Sequence, residues 1–209
     1  LTKLDPGYAW RTQGDTEVLL NGYVHWGADV LTKLDGMFAF AVWDSRDRRM
    51  FVARDRMGIK PLFYSTVGGL TVASTPTPFF HFRGFPRRLN YPALRDYLAC
   101  GTIFAPMSIL ADVHCLPPAC AMTWDAADGT CEVRPYWDIP PATDRPMALD
   151  ELIEATDAAV QESVKRQLVA DVPLGAFLSG GVDSSLMVYY MAAAAGHAVR
   201  TFTVRFPQD

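Results

Sequence analysis

Apolar residues run through this chain in two rhythms, and the rhythm changes near residue 145. Before it, short apolar runs separated by Gly, Pro, Asn and Asp predict a β-rich piece. Met37 to Asp44 and Arg49 to Asp55 read as the strands of a hairpin around the polar turn Ser45-Arg46-Asp47-Arg48. Both are apolar on nearly every residue, which predicts a sheet covered on both faces. Shorter strands are expected at 62–66 and 70–74, joined through Gly68-Gly69, and at 109–113, 119–124 and 131–136, the last two joined by an Asp128-Gly129 turn. Helices are expected at 15–26, with Asp15 or Thr16 as N-cap, at 29–34, and at 91–100, with Asn90 as cap and Pro92 in the first turn. Residues 1–14 read as irregular and 75–90 as a connection. After Pro140, Pro141 and Pro146 the period becomes helical. Leu152, Ile153, Thr156, Val160, Val164 and Leu168 predict a long amphipathic helix over 148–168. A strand at 173–178, a helix at 183–195 and a strand at 199–204 follow.

The expected organisation is therefore an α+β piece over 1–140, a linker over 141–147, and an α/β piece over 148–209 with a parallel sheet. Composition sharpens this only a little. Half of the 209 residues are hydrophobic and 20% are charged, which suits a globular protein. The net charge is −4 with no basic stripe, which argues against nucleic acid as a partner. No apolar run approaches membrane-span length, so no membrane partner is expected. Cys100, Cys115, Cys120 and Cys131 lack the paired spacing of a zinc site and read as buried free thiols of a cytoplasmic protein. The chain does not open on Met and reads as a piece of something longer.

The candidate chemistry sits between the last strands. Leu174 to Leu178 lead into Ser179-Gly180-Gly181-Val182-Asp183-Ser184-Ser185, and a helix leaves it. Two glycines permit positive φ and close approach of a ligand. The unpaired N–H groups and the dipole of the helix N-terminus favour an anion. Three serines add hydroxyl donors. Asp183 would repel a phosphate there, and makes sense if Mg²⁺ lies between them. The competing reading is a helix cap and a tight turn. No Gly-Lys-Ser/Thr follows, so this is no Walker loop, and the dinucleotide glycine spacing is absent.

The stretch resembles the pyrophosphate loop of the ATP-pyrophosphatase family. With Asp171-Val172-Pro173 before it and Thr201-Phe202-Thr203-Val204 after it, the second piece resembles glutamine-dependent asparagine synthetases of the bacterial type. Gly14-Asp15-Thr16-Glu17, Leu34-Asp35-Gly36-Met37-Phe38-Ala39-Phe40-Ala41 and Ala53-Arg54-Asp55-Arg56-Met57-Gly58-Ile59-Lys60-Pro61-Leu62 are similar to the second half of that family's N-terminal-nucleophile glutaminase domain.

This resemblance implies an enzyme with two sites. One releases ammonia from glutamine. The other activates the side-chain carboxylate of aspartate as an adenylate, releasing pyrophosphate from ATP, and ammonia then gives asparagine. It implies Asp15 as holder of the glutamine α-amino group. Leu178 and Val204 would touch adenosine. Ser179, Gly180, Gly181, Asp183, Ser184 and Ser185 would form the ATP pyrophosphate site, with Asp183 toward Mg²⁺. The implied small-molecule partners are glutamine, aspartate and ATP, and a homodimer is one possible assembly that the sequence does not decide. No catalytic residue is assigned: the family's nucleophile is an N-terminal cysteine, and none of the four cysteines stands there, so this stretch alone is expected to be inactive. Arg54 and Asp55 are expected to form an internal ion pair before Gly58. At Ala73-Ser74-Thr75-Pro76 the chain departs from the family's acidic residue and helix start. Two alternatives stay open: a β-lactam synthetase-like or other carboxylate-amidating ligase of a natural-product pathway, and a catalytically dead glutaminase-like scaffold.

Overall fold

A hairpin forms the spine of the first half. β1 (Ala39–Asp44) pairs antiparallel with β2 (Arg49–Arg54), placing Val42 opposite Phe51. The Asp44 carboxylate accepts from the N–H groups of Arg46 and Asp47 and closes the turn. This computed structural model describes residues 7–142, 146–196 and 198–205. The chain divides into two compact units, Leu1–Pro140 and Pro141–Asp209. No helix among the described residues is long and apolar enough to cross a membrane.

In the first unit, β6 (Cys120–Asp125) adds to β2 and β7 (Cys131–Pro135) adds to β6, giving a sheet in the order β1-β2-β6-β7. Successive β2 residues point to opposite faces. Phe51 and Ala53 face α1 (Asp15–Trp26) and the 3₁₀ turn Gly27–Lys33, packing with Val30 and Leu31. The ring of Tyr23 stacks on Phe51 with centroids 5.2 Å apart. Val52, with Met122 beside it in register, faces the other way and packs on Leu62, Leu116 and Cys120. Both faces of β2 are thus covered, as the unbroken apolar run predicts. β1 departs from the expectation: Ala39, Ala41 and Trp43 share one face, and all three are exposed.

A second sheet lies over the Val52 face. β3 (Phe63–Ser65) pairs with β4 (Thr71–Ala73) and with the short β5 (His114–Cys115), in the order β4-β3-β5. Tyr64 and Val72 point into the core shared with the first sheet. Phe63 and Ala73 point out, against Phe79, Leu110 and Val113. Phe79 is fully buried and belongs to a 3₁₀ turn, Thr77–His81, inside the segment read as a plain connection. A helical turn therefore does follow Pro76, one residue beyond Thr75.

The strand expected at 109–113 does not form. Leu110 bridges to Leu89, but Ser108 Oγ accepts from the Leu110 N–H at 3.4 Å and Val113 N–H turns back to the Leu110 carbonyl. The apolar residues are buried as a turn rather than a strand, because side chain and backbone satisfy each other locally. α2 (Tyr91–Cys100) begins as expected, with Asn90 Oδ1 accepting from the Ala93 N–H at 3.2 Å. The cysteines differ from expectation. All four are free, but Cys100 and Cys131 are exposed, Cys115 is half-buried, and only Cys120 is buried.

The loop from β2 to β3 corrects another expectation. Arg54 and Asp55 do not pair with each other. Arg54 donates to the carbonyls of Gly58 (2.6 Å), Lys60 (2.8 Å) and Leu116 (2.7 Å) and to Cys115 Sγ (3.3 Å). Asp55 accepts from the N–H groups of Met57, Ile59 and Lys60. Neighbours at a strand end project to opposite sides, so each binds the main chain on its own side. Gly58 sits at φ +66°, where an added Cβ would lie 2.8 Å from Pro118 Cγ and 3.1 Å from the Arg54 guanidinium carbon. Tyr136 closes the arrangement by donating to the Arg54 carbonyl at 2.9 Å. Burial, then the Asp55 carboxylate, pushes its phenol up to about 12.

In the second unit, α3 (Leu149–Arg166) packs on α4 (Val182–Ala195), and Tyr190 donates its hydroxyl to the Asp157 carboxylate. β8 (Gly175–Phe177) and β9 (Arg200–Phe202) run parallel, with Ala176 opposite Thr201. The expected parallel pairing is present. Residues 143–145, within the expected linker, lie outside the described residues.

Candidate functional site

The first unit carries a groove of about 470 Å³ beside the start of α1. Asp15, Thr16, Leu34, Phe38, Lys60 and Ser74 are among its walls. Asp15 opens α1 but does not cap it. The N-cap is Gly14, and no side chain bonds there. The expectation that Asp15 or Thr16 caps the helix is therefore overturned. Asp15 lies exposed in the first turn, and among the described residues its hydrogen-bond partner is the Thr16 hydroxyl, at 3.4 Å. Its charge is placed where the helix dipole favours an anion, and it faces open groove.

Two residues on, the start of α1 is instead tied to the chain before it. Glu17 reaches back past Gly14 and accepts from the N–H groups of Arg11 and Thr12 and the hydroxyls of Thr12 and Tyr8. A Glu at the third helical position that turns back on the preceding chain is the geometry of a capping box, extended here by two residues. This role was missed in the sequence, where Glu17 counted only as part of a motif. Lys60 and Ser74 were missed as groove walls, because they reach it through the fold rather than through spacing.

The Thr12 hydroxyl, then the Arg11 N–H, hold the Glu17 carboxyl down at about 2. Its folded value lies below the ordinary 4.5, so its contribution is complete above about 4.5 and fades as pH falls through about 2. The segment 8–12 is expected to stay anchored at pH 5 and to loosen between about 4.5 and 2. Amide exchange at Arg11 and Thr12 measures this. Protection lost well above pH 4.5 would mean that other contacts hold the segment.

The second unit carries the serine-glycine loop, which connects the parallel strand β8 to α4. Leu178 is tied on both sides: its N–H donates to the Phe202 carbonyl at 2.9 Å, and its carbonyl accepts from the Thr203 hydroxyl at 2.7 Å. This brings Leu178 to the same end of the strand pair as Val204. Leu178 is half-buried, whereas Val204 is 71% exposed and forms no part of a core. Gly180 takes φ +81° with open space around the Cβ position, and Gly181 is the N-cap of α4. Ser179 and Ser184 hydroxyls meet at 3.0 Å across the loop, and the Ser184 hydroxyl donates to the Gly181 carbonyl at 3.1 Å. The Ser185 N–H donates to the same carbonyl at 3.1 Å and starts the helix.

The loop thus presents a helix N-terminus, two glycines and two mutually bonded hydroxyls on an exposed surface. That donor set suits an anion. Asp183 is exposed in the first turn and takes no hydrogen-bond partner among the described residues. Among those residues no group of three or more His, Cys, Asp or Glu could hold a metal ion alone. A single free carboxylate still fits Mg²⁺, which takes one or two carboxylates and fills its shell with phosphate and water oxygens. The Thr203 hydroxyl, which clamps Leu178, was not anticipated from the sequence. Asp15 and the 178–185 residues lie in different units and form two separate candidate sites.

Comparison with known proteins follows the same division. Residues 2–137 match the family model described as glutamine amidotransferase domain, and residues 155–209 match that described as asparagine synthase. "Asparagine synthetase [glutamine-hydrolyzing] 3" of Bacillus subtilis is 35% identical over 91% of this chain and 30% of its own length. "Asparagine synthetase [glutamine-hydrolyzing] 1" of the same organism is 33% identical over 97% of this chain and 32% of its own. "Amidase chyE" of Penicillium rubens is 28% identical over 93% and 31%. The chain spans about a third of the length of these curated relatives. A solved B. subtilis glutamine phosphoribosylpyrophosphate amidotransferase superimposes with a TM-score of 0.40 at 16% identity, over 96% of this chain and 41% of that one, too loosely to add weight. The family match over 2–137 covers the unit that holds the Asp15 groove and the Arg54–Leu62 loop, the match to the asparagine synthase model follows it, and the chain belongs to the glutamine amidotransferase domain family.

Proposed function

We propose that this chain is part of an ATP-dependent ligase that amidates aspartate to asparagine with ammonia released from glutamine. One observation carries the reading. A glutamine amidotransferase unit and a serine-glycine loop at a helix N-terminus, inside an asparagine synthase match, follow each other in a single chain. An ammonia source joined to an anion-binding loop suits a carboxylate that must be activated before it can be aminated.

The chemistry balances in two steps. A β-carboxylate oxygen of aspartate attacks the α-phosphorus of ATP, forming β-aspartyl adenylate and releasing pyrophosphate. Ammonia then adds to the acyl carbon, AMP leaves with the bonding pair, and a proton is lost. In this reading Ser179, Gly180, Gly181, Ser184 and Ser185 receive the leaving pyrophosphate, and Leu178 and Val204 pack on adenosine. Asp183 would hold Mg²⁺, which when bound offsets phosphate charge. Excluding water protects the adenylate and keeps ammonia unprotonated. Asp15 holds the α-amino group of glutamine by charge. Asp15→Ala is expected to raise the KM for glutamine roughly a hundredfold and to spare the ammonia-driven reaction, as loss of a charge-assisted contact would. Steady-state kinetics with each nitrogen source measures this, and an unchanged KM would remove Asp15 from the site.

The deciding experiment uses the full-length protein. Pyrophosphate release from Mg-ATP is followed with ammonia, with and without aspartate. Release that depends on aspartate supports the reading. Release with another carboxylate but not aspartate keeps the chemistry and transfers it to a natural-product type of amidation. Silence with every carboxylate leaves a scaffold.

A further inference from the structure

We infer that Glu17 is the positioning residue of the glutamine site, holding the first turn of α1 so that Asp15 meets its ligand in one orientation. The inference rests on the reading of Asp15 as holder of the glutamine α-amino group. It begins from a helix start that lacks the usual support. Gly14 is the N-cap, has no side chain, and receives no side-chain bond. Such a terminus frays unless something else fixes it.

Glu17 supplies that fixing point. Its Oε1 accepts from the Tyr8 hydroxyl and the Arg11 N–H, each at 3.0 Å. Its Oε2 accepts from the Thr12 N–H and the Thr12 hydroxyl, each at 2.7 Å, and from the Arg11 N–H at 3.2 Å. Four donors on three residues converge on one carboxylate, and charge-assisted bonds of this length are the strong ones. The segment 8–12 is thereby folded back on the first helical turn.

That turn is a wall between two grooves. Thr16 lines the one that holds Asp15 and Lys60, and also the one formed by Tyr8, Arg11, Thr12 and Glu17. Glu17 grips the turn from one side while Asp15 presents its carboxylate on the other. Among the described residues the hydrogen-bond partner of Asp15 is the Thr16 hydroxyl, in the same turn, so its placement is inherited from that turn. Small displacements of a binding group cost large factors.

The test uses the full-length protein and measures the KM for glutamine in ammonia release, beside ammonia-driven pyrophosphate release as a fold control. Glu17→Gln leaves the shape but turns an amide donor toward the backbone donors. It is expected to raise the KM for glutamine about tenfold, with kcat and the ammonia-driven rate within about twofold of the parent. Because Glu17 acts through Asp15, the double variant Asp15→Ala with Glu17→Gln should be no worse than Asp15→Ala alone. An unchanged KM in Glu17→Gln, with a raised one in Asp15→Ala, overturns this inference and keeps the Asp15 reading. Multiplying effects in the double variant also overturn it. An unchanged KM in Asp15→Ala overturns the Asp15 reading and this inference together. Should Glu17→Gln fail to fold, Thr12→Val and Tyr8→Phe each remove a single donor. Each is expected to raise the KM two- to threefold, and no change in either overturns the inference.

Discussion

Asp183→Asn in the full-length protein is expected to lower aspartate-dependent pyrophosphate release roughly a hundredfold or more while ammonia release from glutamine is unchanged. Asparagine matches the size of the side chain and suits a helix terminus, so the cost to α4 is at most about 1 kcal/mol from lost dipole compensation. What it removes is the negative charge that would hold Mg²⁺ against the phosphates. The exposure of Asp183 and its lack of a partner among the described residues make this a clean substitution, because no buried network breaks with it. The check is a pair of assays on one sample, pyrophosphate release and glutamine hydrolysis. If both activities fall together, Asp183 serves the folding of α4 and has no part in holding the metal.

The other large effect is on stability. Arg54→Met is expected to destabilise the first unit by about 4 kcal/mol. Methionine can fill the space of the arginine stem, but the carbonyls of Gly58, Lys60 and Leu116 lose their donor, that of Leu116 in a buried setting and the other two part-buried. Removing a buried guanidinium also relieves its desolvation, which opposes the loss. The three orphaned carbonyls outweigh that relief, since each costs about 1–3 kcal/mol when left unpaired. The midpoint of thermal unfolding should fall by roughly 10–20 °C. All 5 tryptophans lie in the first unit, at 10, 26, 43, 124 and 137, so tryptophan fluorescence reports this unfolding without interference from the second. A shift of less than about 3 °C would show that water replaces the guanidinium.

What could be read from the sequence divides along a physical line. Elements specified locally were legible. The hairpin at 39–54, α2 with its Asn90 cap, and the strand, glycine loop and helix around Ser179 each announce themselves within a dozen residues. Features settled by the rest of the fold were not. The apolar run at 109–113 looks like a strand, yet the Ser108 hydroxyl and the Leu89 bridge turn it into a buried corner. Phe79 falls in a stretch that reads as a connection, because nothing in its neighbourhood reveals that β3 and β4 need a cover. The expected Arg54–Asp55 ion pair does not form, because adjacency along a strand separates side chains rather than joining them. At the candidate sites, the loop residues 179–185 were legible as a group and Asp15 as a motif. Glu17 was legible in principle, since a Glu three residues after a helix start is a known signal, but its targets lie beyond the cap.

The β2–β3 loop has a consequence for how freely its sequence can change. Its path is dictated by two charged side chains that within the loop bind main-chain groups, together with one glycine. Met57, Ile59 and Lys60 contribute N–H and C=O groups that any residue except proline would supply. Met57 and Ile59 are also largely exposed, at 66% and 53%. Random substitution across 54–60 should therefore give a sharply uneven map. Arg54, Asp55 and Gly58 should tolerate almost nothing, while 57, 59 and 60 accept most side chains for folding. The shape of this loop is encoded in a minority of its letters, and the others are left open.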